Sequence, residues 1–326
     1  MELLLSKLLT AILAIGLGCG GVVALLVGAN ALVERLAPGR RKKQILPWVY
    51  LAPALLLLVA YLVIPTLVTV YLSLLDARSQ TFVGLANYLA LLTDRSMGIA
   101  LRNNLLWLVG VTGTSVGLGL LIAVLADRVR YEVVPKTLIF LPMAISFVGA
   151  SVIWKFIYAF RPAGSAQIGL LNGVVTWLGF EPVGWLVERS INNFALIAIM
   201  IWLQTGFCMV LLSAAVKGIP SEILEAARMD GASELQVFWR ITVPMIRSTI
   251  LVVATTTILL VLKVFDIVYV MTAGNQGTEV LASRMFKEMF SFRHYGRGSA
   301  IAVLLLLAVI PVMVANIREF RQPNPR

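Results

Sequence analysis

Few residues in this sequence are suited to a reactive or metal-binding site. Charged residues make up only 13% of the 326 residues, and His294 is the single histidine. The two cysteines, Cys19 and Cys208, lie within apolar runs and form no CxxC pair. We therefore expect neither a disulfide framework nor a histidine-based metal site. The sequence also lacks P-loop, HExxH and GxSxG motifs, which argues against catalysis by this chain.

Hydrophobic residues dominate instead. They form 60% of the chain, and the mean hydropathy is +0.92, whereas a soluble domain is about half apolar and a quarter charged. No soluble fold of this length could bury so much apolar surface, so lipid is the expected solvent. The net charge of +11 does not indicate nucleic acid, because lysine and arginine lie mostly at the ends of the apolar runs.

Seven apolar runs are long enough to cross a bilayer, which takes about 20 residues. Each must be helical, since no other single segment satisfies its own backbone hydrogen bonds in lipid. The predicted fold class is therefore all-α, a polytopic membrane helix bundle. The runs cover roughly 9–33, 46–75, 105–125, 138–159, 194–216, 249–270 and 300–317.

The distribution of lysine and arginine predicts the orientation. Four connections carry 15 of them in 64 residues, and three others carry 9 in 92. The richer set is predicted to be cytoplasmic, which places the N-terminus outside and makes the C-terminal tail an inside anchor. The cytoplasmic set is 34–44, 126–137, 217–248 and 318–326, and the outer set is 76–104, 160–193 and 271–299.

Residues 1–44 are interpreted as an extra N-terminal transmembrane helix with a basic cytoplasmic loop, and 45–326 as the main transmembrane domain. The first run could instead be a cleaved signal peptide, since Ala29-Asn30-Ala31 mimics a cleavage site. A retained helix is favoured because the run is longer than the apolar region of such peptides. The outer loops are too short for a core of their own, and stretches such as Val83–Thr93 are predicted to be lids or interfacial caps.

The cytoplasmic connection 217–248 is the most informative segment. Pro220 ends the preceding span, and Ser221 is a predicted N-cap for a short helix. Glu222 and Glu225 then complement the positive helix end, and Gly231 supplies a left-handed C-cap.

A second short helix is predicted to follow directly. Ser233 and Gln236 form an S-x-x-Q capping box at its start, and Pro244 restricts Val243 and closes it. The pair could rest on lipid headgroups as an interfacial hairpin. The acidic face argues instead for a protein partner, because interfacial helices favour lysine and arginine.

This loop resembles the EAA loop of ABC importer permeases, whose pattern is EAA, then DGA, then F-x-x-I-x-L-P. Val243 stands where leucine is usual, which is a mild departure. The matching residues are Glu225, Ala226, Ala227, Asp230, Gly231, Ala232, Phe238, Ile241 and Pro244.

The resemblance implies a type I ABC importer permease fold and a set of partners. Its two short helices would be coupling helices that seat in a cytoplasmic ATP-binding subunit, with an ionic contact from Glu225. ATP and Mg would belong to two such ATPase subunits, so this chain itself would hold no cofactor. The other implied partners are a second, different permease subunit and an extracytoplasmic sugar-binding protein, all at a bacterial or archaeal cytoplasmic membrane.

Further stretches are similar to carbohydrate permeases. They include Trp202–Phe207, Ala214–Pro220 and Phe82–Tyr88. The run Lys263–Asn275 looks like the α-glucoside subgroup, and the chain resembles the maltose-permease-F-like subunit. The substrate implied is an α-glucoside or related oligosaccharide.

A sugar path needs polar and aromatic groups inside the bilayer, where such groups are costly unless they face a cavity or a partner. Helical spacing places two sets of residues on single faces of the fifth and sixth runs. They could contact sugar or serve only in helix–helix packing. The first set is Met200, Gln204 and Phe207, and the second is Thr257, Val261 and Val264. Lys263 and Asp266, at i and i+3, are predicted to form an intramembrane ion pair or gate.

Two other functions remain open on the residues alone. An ion-coupled secondary transporter would need interrupted helices and buried carboxylates, for which Asp266 is the only candidate. A structural assembly factor would use the 217–248 hairpin only for docking and would need no polar residues on the fifth and sixth helices.

Overall fold

The computed structural model describes residues 2–36, 40–127 and 129–321. Parts of three predicted cytoplasmic connections, residues 37–39, 128 and 322–326, lie outside the described residues. The chain divides into two units, of which one ends at Val68 and the other begins at Thr69. The predicted division at 44/45 stays a prediction.

The described chain is almost entirely helical, and its only β-pairing is an isolated bridge between Leu75 and Phe82. The first unit contains α1 (Glu2–Leu36), α2 (Arg40–Leu58), a π-helical turn (Val59–Val63) and the start of α3 (Ile64–Ser73). The second unit continues with α4 (Ala86–Thr93), α5 (Arg95–Ala126), α6 (Val133–Phe140), α7 (Phe147–Ile157), α8 (Leu170–Trp177), α9 (Asn192–Lys217), α10 (Ser221–Met229), α11 (Glu234–Val237), α12 (Val243–Met245), α13 (Arg247–Leu262), α14 (Asp266–Thr272), α15 (Leu281–Phe286) and α16 (Tyr295–Arg321).

Five stretches are single helices long and apolar enough to cross a membrane, and two bent pairs bring the total to as many as seven. The prediction of a multi-span helical membrane protein is therefore confirmed. The five are Leu5–Ala31, Lys42–Ser73, Arg95–Ala126, Asn192–Lys217 and Tyr295–Ile317. The bent pairs are Val133–Ala144 with Phe147–Ile157, at 104°, and Glu234–Met245 with Arg247–Leu262, at 71°.

The prediction of one continuous sixth helix over 249–270 is wrong. Helix α13 ends at Leu262, and α14 begins only at Asp266. The amides of Lys263 and Val264 bond three residues back, to Leu260 and Val261, which tightens the last turn of α13. Phe265 then leaves the helical region, with φ −139° and ψ −57°. Apolar composition alone does not reveal this break.

The core of the second unit is built around α5 and α9. A built Cβ at Gly119 on α5 would lie 2.6 Å from Cys208 Cβ on α9, so the missing side chain permits a close approach. Small residues have this role in membrane bundles, where lipid is as apolar as the core and association depends on packing and polar contacts.

Three buried clusters follow from this packing. The outer cluster includes Trp107, Leu196, Met200, Val261 and Val268. The inner cluster includes Leu120, Cys208, Leu212, Ile246 and Val253. The α4 cluster includes Leu91, Met97, Leu281, Ala300 and Ile301.

Candidate coupling loop and translocation cavity

The loop 217–248 forms the predicted pair of short helices. The first is α10, but its N-cap position is Pro220, and no side chain caps it. The prediction of Ser221 as N-cap is therefore wrong, because Pro220 already has the non-helical backbone and Ser221 is the first helical residue. Helix α10 ends at Met229, next to the predicted Asp230-Gly231 end.

Gly231 makes the turn between the two helices. Its φ is +81°, in the left-handed region that favours glycine. The amide of Ala232 bonds to the carbonyl of Ala227 at 3.0 Å, and the amide of Gly231 bonds to Arg228 at 3.0 Å. These bonds satisfy the last carbonyls of α10, as expected for a glycine C-cap.

The second helix begins with the predicted capping box. Gln236 Oε1 accepts from the amide of Ser233 at 2.8 Å, and Ser233 Oγ accepts from the amide of Gln236 at 3.4 Å. Pro244 does not close this helix, contrary to prediction. A π-helical turn, Phe238–Thr242, leads into α12, where Pro244 lies near the N-terminus and Val243 keeps helical angles. The amide of Val243 bonds to the carbonyl of Phe238, five residues back, and this wider turn gives room for the proline ring, which donates no hydrogen bond itself.

One face of the hairpin is seated on the bundle. Leu224, Phe238 and Val243 pack against the inner cluster, and Val237 is buried. The opposite face is open. Among the predicted coupling residues, Glu225, Ala226, Asp230, Gly231 and Pro244 are exposed, and Ala227, Ala232, Phe238 and Ile241 are half-buried. Phe238 therefore anchors the hairpin, while Glu225 and Ala226 are available to a partner.

A charged network connects helix ends near the residue where the loop 217–248 begins. The Lys136 ammonium pairs with Asp127 and with Glu132, and it donates to Ser213 Oγ at 2.9 Å. Lys217 pairs with Glu132 at 2.6 Å. Hydrogen bonds from Lys136 and Lys217 lower the pKa of Glu132 from 4.5 to about 2. These contacts join the ends of α5 and α9 to the start of α6, and sequence reasoning missed them because they connect distant segments.

Two helix breaks and α9 surround a cavity of about 390 Å³, which is named the main cavity because both breaks line it. Ser146, at the break between α6 and α7, lies on one side, and Asp266, at the break between α13 and α14, lies on another. Gln204 of α9 completes the polar lining. Its side chain is 5% exposed and hydrogen-bonds no other described residue. An unpaired amide that lines a cavity is suited to bind a hydroxyl group of a ligand.

A smaller side cavity adjoins these residues. Met200, Lys263, Val264 and Asp266 all line it. Within the described chain, no ion pair joins Lys263 to Asp266. The i, i+3 spacing brings two residues together only on an unbroken helix, and here the break lies between them. The ion pair is therefore not formed in this structure, and both charges face cavities.

The remaining predicted path residues lie in packed surroundings. Thr257 is buried, with its hydroxyl bonded to the carbonyl of Val253 at 2.9 Å and 3.8 Å from Cys208 Sγ. Val261 belongs to the outer cluster, and Phe207 packs on the inner one. A sugar contact by any of these residues stays a prediction. Sequence reasoning missed Ser146, although its side chain caps α7 by accepting from the amide of Gly149 at 3.1 Å.

Asparagine side chains hold the outer turn that follows α14. Asn103 on α5 donates to the carbonyls of Gly277 and Glu279 at 2.7 and 2.8 Å. Asn192 on α9 donates to the carbonyl of Gln276 at 3.0 Å. The turn thus bridges the outer ends of α5 and α9, and buried amides of this kind mark fixed polar contacts in a membrane bundle.

Helices broken around a cavity that contains three polar side chains, together with a hairpin packed on the bundle by one face and free on the other, are typical of the membrane-spanning subunit of a transporter. Residues 115–318 match the family described as "Binding-protein-dependent transport system inner membrane component", and the chain belongs to this family. It is a multi-pass permease subunit of an ABC importer and not an enzyme, since ATP hydrolysis in such systems belongs to a separate subunit. This membership decides against the secondary transporter and the assembly factor.

Similar proteins support the assignment. The chain is 72% identical over 272 residues to the osmoprotective compounds uptake permease protein of Synechocystis sp., covering 83% of this chain and 98% of that one. It is 48% identical to the alpha-glucoside transport system permease protein of Rhizobium meliloti, covering 97% and 98%. A crystal structure of a bacterial ABC transporter that imports the acidic polysaccharide alginate shares the fold, with TM-score 0.73 and 22% identity over 88% of this chain and 100% of the other.

Proposed function

We propose that this chain forms half of the translocation path of an ATP-driven importer for an α-glucoside or a related small glycoside. The observation that carries the proposal is the unpaired amide of Gln204 in the main cavity, beside two helix breaks. A sugar offers many hydroxyl groups, and a buried amide can both donate to and accept from them. The volume of about 390 Å³ is in the usual range for ligand pockets.

The names of the relatives narrow the substrate class. One relative is named for alpha-glucosides and another for osmoprotective compounds. A glycoside that also serves as an osmoprotectant satisfies both names. The free charges of Lys263 and Asp266 flank the side cavity, where they can bond to hydroxyl groups as donor and acceptor.

The partners follow the family pattern. A second, different permease subunit would complete the path, because one chain encloses only part of it. Two cytoplasmic subunits would bind ATP and Mg, and an extracytoplasmic sugar-binding protein would deliver substrate. The membrane would be the cytoplasmic membrane of a bacterium or archaeon. We expect no nucleic-acid partner, because lysine and arginine lie mostly at the ends of the apolar runs.

The hairpin would transmit the ATPase motion. Its inner face is fixed to the bundle by Leu224 and Phe238, so a force applied to α10 reaches the helix ends. Glu225 and Ala226 are exposed on its free face. An acidic group beside a small residue suits a close ionic contact with a groove on the ATPase subunit. Closure of the ATPase subunits would then switch the bundle between inward- and outward-facing states.

Uptake by the reconstituted complex tests the proposal. The full transporter in proteoliposomes, with the binding protein supplied outside, should accumulate a radiolabelled α-glucoside when ATP is present inside. A proton or sodium gradient without ATP should give no uptake. Gradient-driven uptake would overturn the ATP coupling, and ATP-driven uptake of other solutes but no glycoside would overturn the substrate class.

A further inference from the structure

The outer connection after α3 carries a helix with two very different faces. Residues 81–93 contain no charged residue, and most of them form α4. Four large apolar side chains that are exposed on this segment are named here the stripe; two lie on α4, one is its N-cap residue, and Phe82 precedes the helix. The stripe consists of Phe82, Leu85, Leu89 and Leu92, and their side chains are between 63% and 79% exposed.

The opposite face of α4 is fastened to the bundle. Asn87 donates to the carbonyls of Ser73 and Leu75 at 2.9 and 2.7 Å. The hydroxyl of Tyr88 lies 2.7 Å from that of Ser73, and Leu91 is buried in the α4 cluster. The apolar stripe therefore cannot turn inward, since the other face is held by hydrogen bonds and core contacts.

The place of α4 is also fixed. The amide of Tyr295, the first residue of α16, bonds to the carbonyl of Ala77 at 3.0 Å. A Cβ at Gly296 would collide with the carbonyl oxygen of Leu75, so α16 begins directly against the turn that precedes α4. Met97 near the start of α5 packs in the same cluster as Leu91. The stripe is thus held at the outer ends of two membrane spans.

Its surroundings match a lipid surface. Leu105 and Val109 continue an exposed apolar face along α5, and this face must contact lipid or a partner span. Three exposed arginines belong to the same connection: Arg78 before the stripe, Arg95 after it and Arg102 on α5. None of the three forms an ion pair with a described residue. Apolar side chains beside free cations match acyl chains beside headgroup phosphates.

We propose that α4 is a membrane-binding helix of the outer leaflet, whose Phe82, Leu85, Leu89 and Leu92 stripe lies among the acyl chains while Arg95 contacts lipid phosphate. The helix would lock the outer ends of α5 and α16 to the membrane surface. A binding protein or the second permease subunit on the stripe would instead shield it from lipid.

Spin-label accessibility in the assembled transporter distinguishes these occupants. Cys19 and Cys208 would be replaced by alanine, and a nitroxide attached in turn at Leu89→Cys and Leu92→Cys, with Gln80→Cys in the preceding exposed turn as control. In phosphatidylcholine nanodiscs, the Leu89 and Leu92 labels should collide more with oxygen than with a water-soluble nickel chelate, and the Gln80 label should show the reverse. Labels at Leu89 and Leu92 that behave like the control, or that neither relaxant reaches, would overturn the proposal.

The phosphate contact has a separate readout. Adding phosphatidylglycerol should shift the Leu89 label further into the oxygen-rich region, and Arg95→Gln should reduce that shift. A shift that is the same in both variants would remove Arg95 from the proposal. These label measurements do not depend on transport activity. The lipid contact can therefore be tested even if the complex imports no sugar, and its failure would not overturn the proposed transport function.

Discussion

Arg228 Nε donates to Glu234 Oε1 at 2.8 Å, across the turn that joins α10 to α11. This hydrogen bond raises the pKa of the Arg228 guanidinium. Both side chains are well exposed, so the pair contributes little to stability. The pair connects the two short helices across the turn at Gly231.

Gly231→Pro should abolish coupling and leave insertion intact. Proline cannot adopt φ +81° and has no amide for the bond to Arg228. The measurement is ATP-driven uptake beside membrane abundance of the chain. Gly231→Asn is the matched control, since asparagine tolerates the left-handed region, and it should retain most uptake. Normal import by the proline variant would refute the coupling role of this turn.

Glu225→Ala should uncouple transport from ATP hydrolysis. Removing one partner of a buried ionic contact costs a few kcal/mol, which corresponds to at least about a tenfold loss of uptake. Glu222→Ala is the control, because Glu222 is an exposed acid of the same helix outside the motif. Equal uptake by both variants would show that Glu225 makes no essential contact with the ATPase subunit.

Gln204→Leu should change substrate preference before it changes assembly. Loss of one hydrogen bond to a sugar hydroxyl costs about 1 kcal/mol, or roughly fivefold in apparent affinity. Thr256→Val is the control, since the Thr256 hydroxyl is bonded within its own helix, to the carbonyl of Val252, and Thr256 is not a predicted path residue. Transport would be measured for several α-glucosides that differ in one hydroxyl group. Unchanged ratios across that series for Gln204→Leu would remove this amide from the sugar site.

The Glu132 network should weaken only at low pH. Because the pKa of Glu132 falls from 4.5 to about 2 on folding, its contribution to stability is complete above about pH 4.5 and is lost as the pH falls towards 2. The Tm of the wild type should exceed that of Glu132→Gln at neutral pH, and the two should converge across this window. Glu181→Gln, at an exposed outer position, should show no such convergence. A Tm difference that stays constant with pH would contradict the ion-pair account.

Gly206→Ala should destabilise the bundle by about 1 to 3 kcal/mol, the cost of overpacking. A Cβ at Gly206 would lie 2.5 Å from the carbonyl oxygen of Ile139 and 2.7 Å from Phe140 Cα. Backbone atoms cannot move aside as a flexible side chain does. Gly113→Ala is the control, since nothing lies within 4 Å of its built Cβ. A Tm for Gly206→Ala as high as that of Gly113→Ala would show that α6 and α9 separate easily.

Local features of the chain were predictable from sequence. The glycine turn at Gly231 and the capping box of Ser233 and Gln236 depend on neighbouring residues only, and both were predicted correctly. Bilayer thickness sets the length of each apolar run, so the approximate number of spans could also be predicted.

Features that depend on tertiary contacts could not be predicted from the sequence. The break at residues 263–265 interrupts an apolar run without a proline or glycine, and its position reflects packing of Val264 and Ile267 into the outer cluster. The contacts of Lys136 with Asp127 and Ser213 join three separate helices. Helical spacing also could not distinguish Thr257 from Gln204. The Thr257 hydroxyl bonds within its own helix, whereas the Gln204 amide lines the main cavity without a partner among the described residues.

Helix α9 is held on two sides by backbone-level contacts. Gly119 brings α5 against it, and Gly206 brings it against α6. Both contacts involve backbone atoms, so we expect α5, α6 and α9 to move together when the transporter changes state. The expected hinges are then the two breaks beside the main cavity, residues 145–146 and 263–265. A solute bound there would sit at the pivot, where a small angular change moves its contacts least and the distant ends of the three helices most.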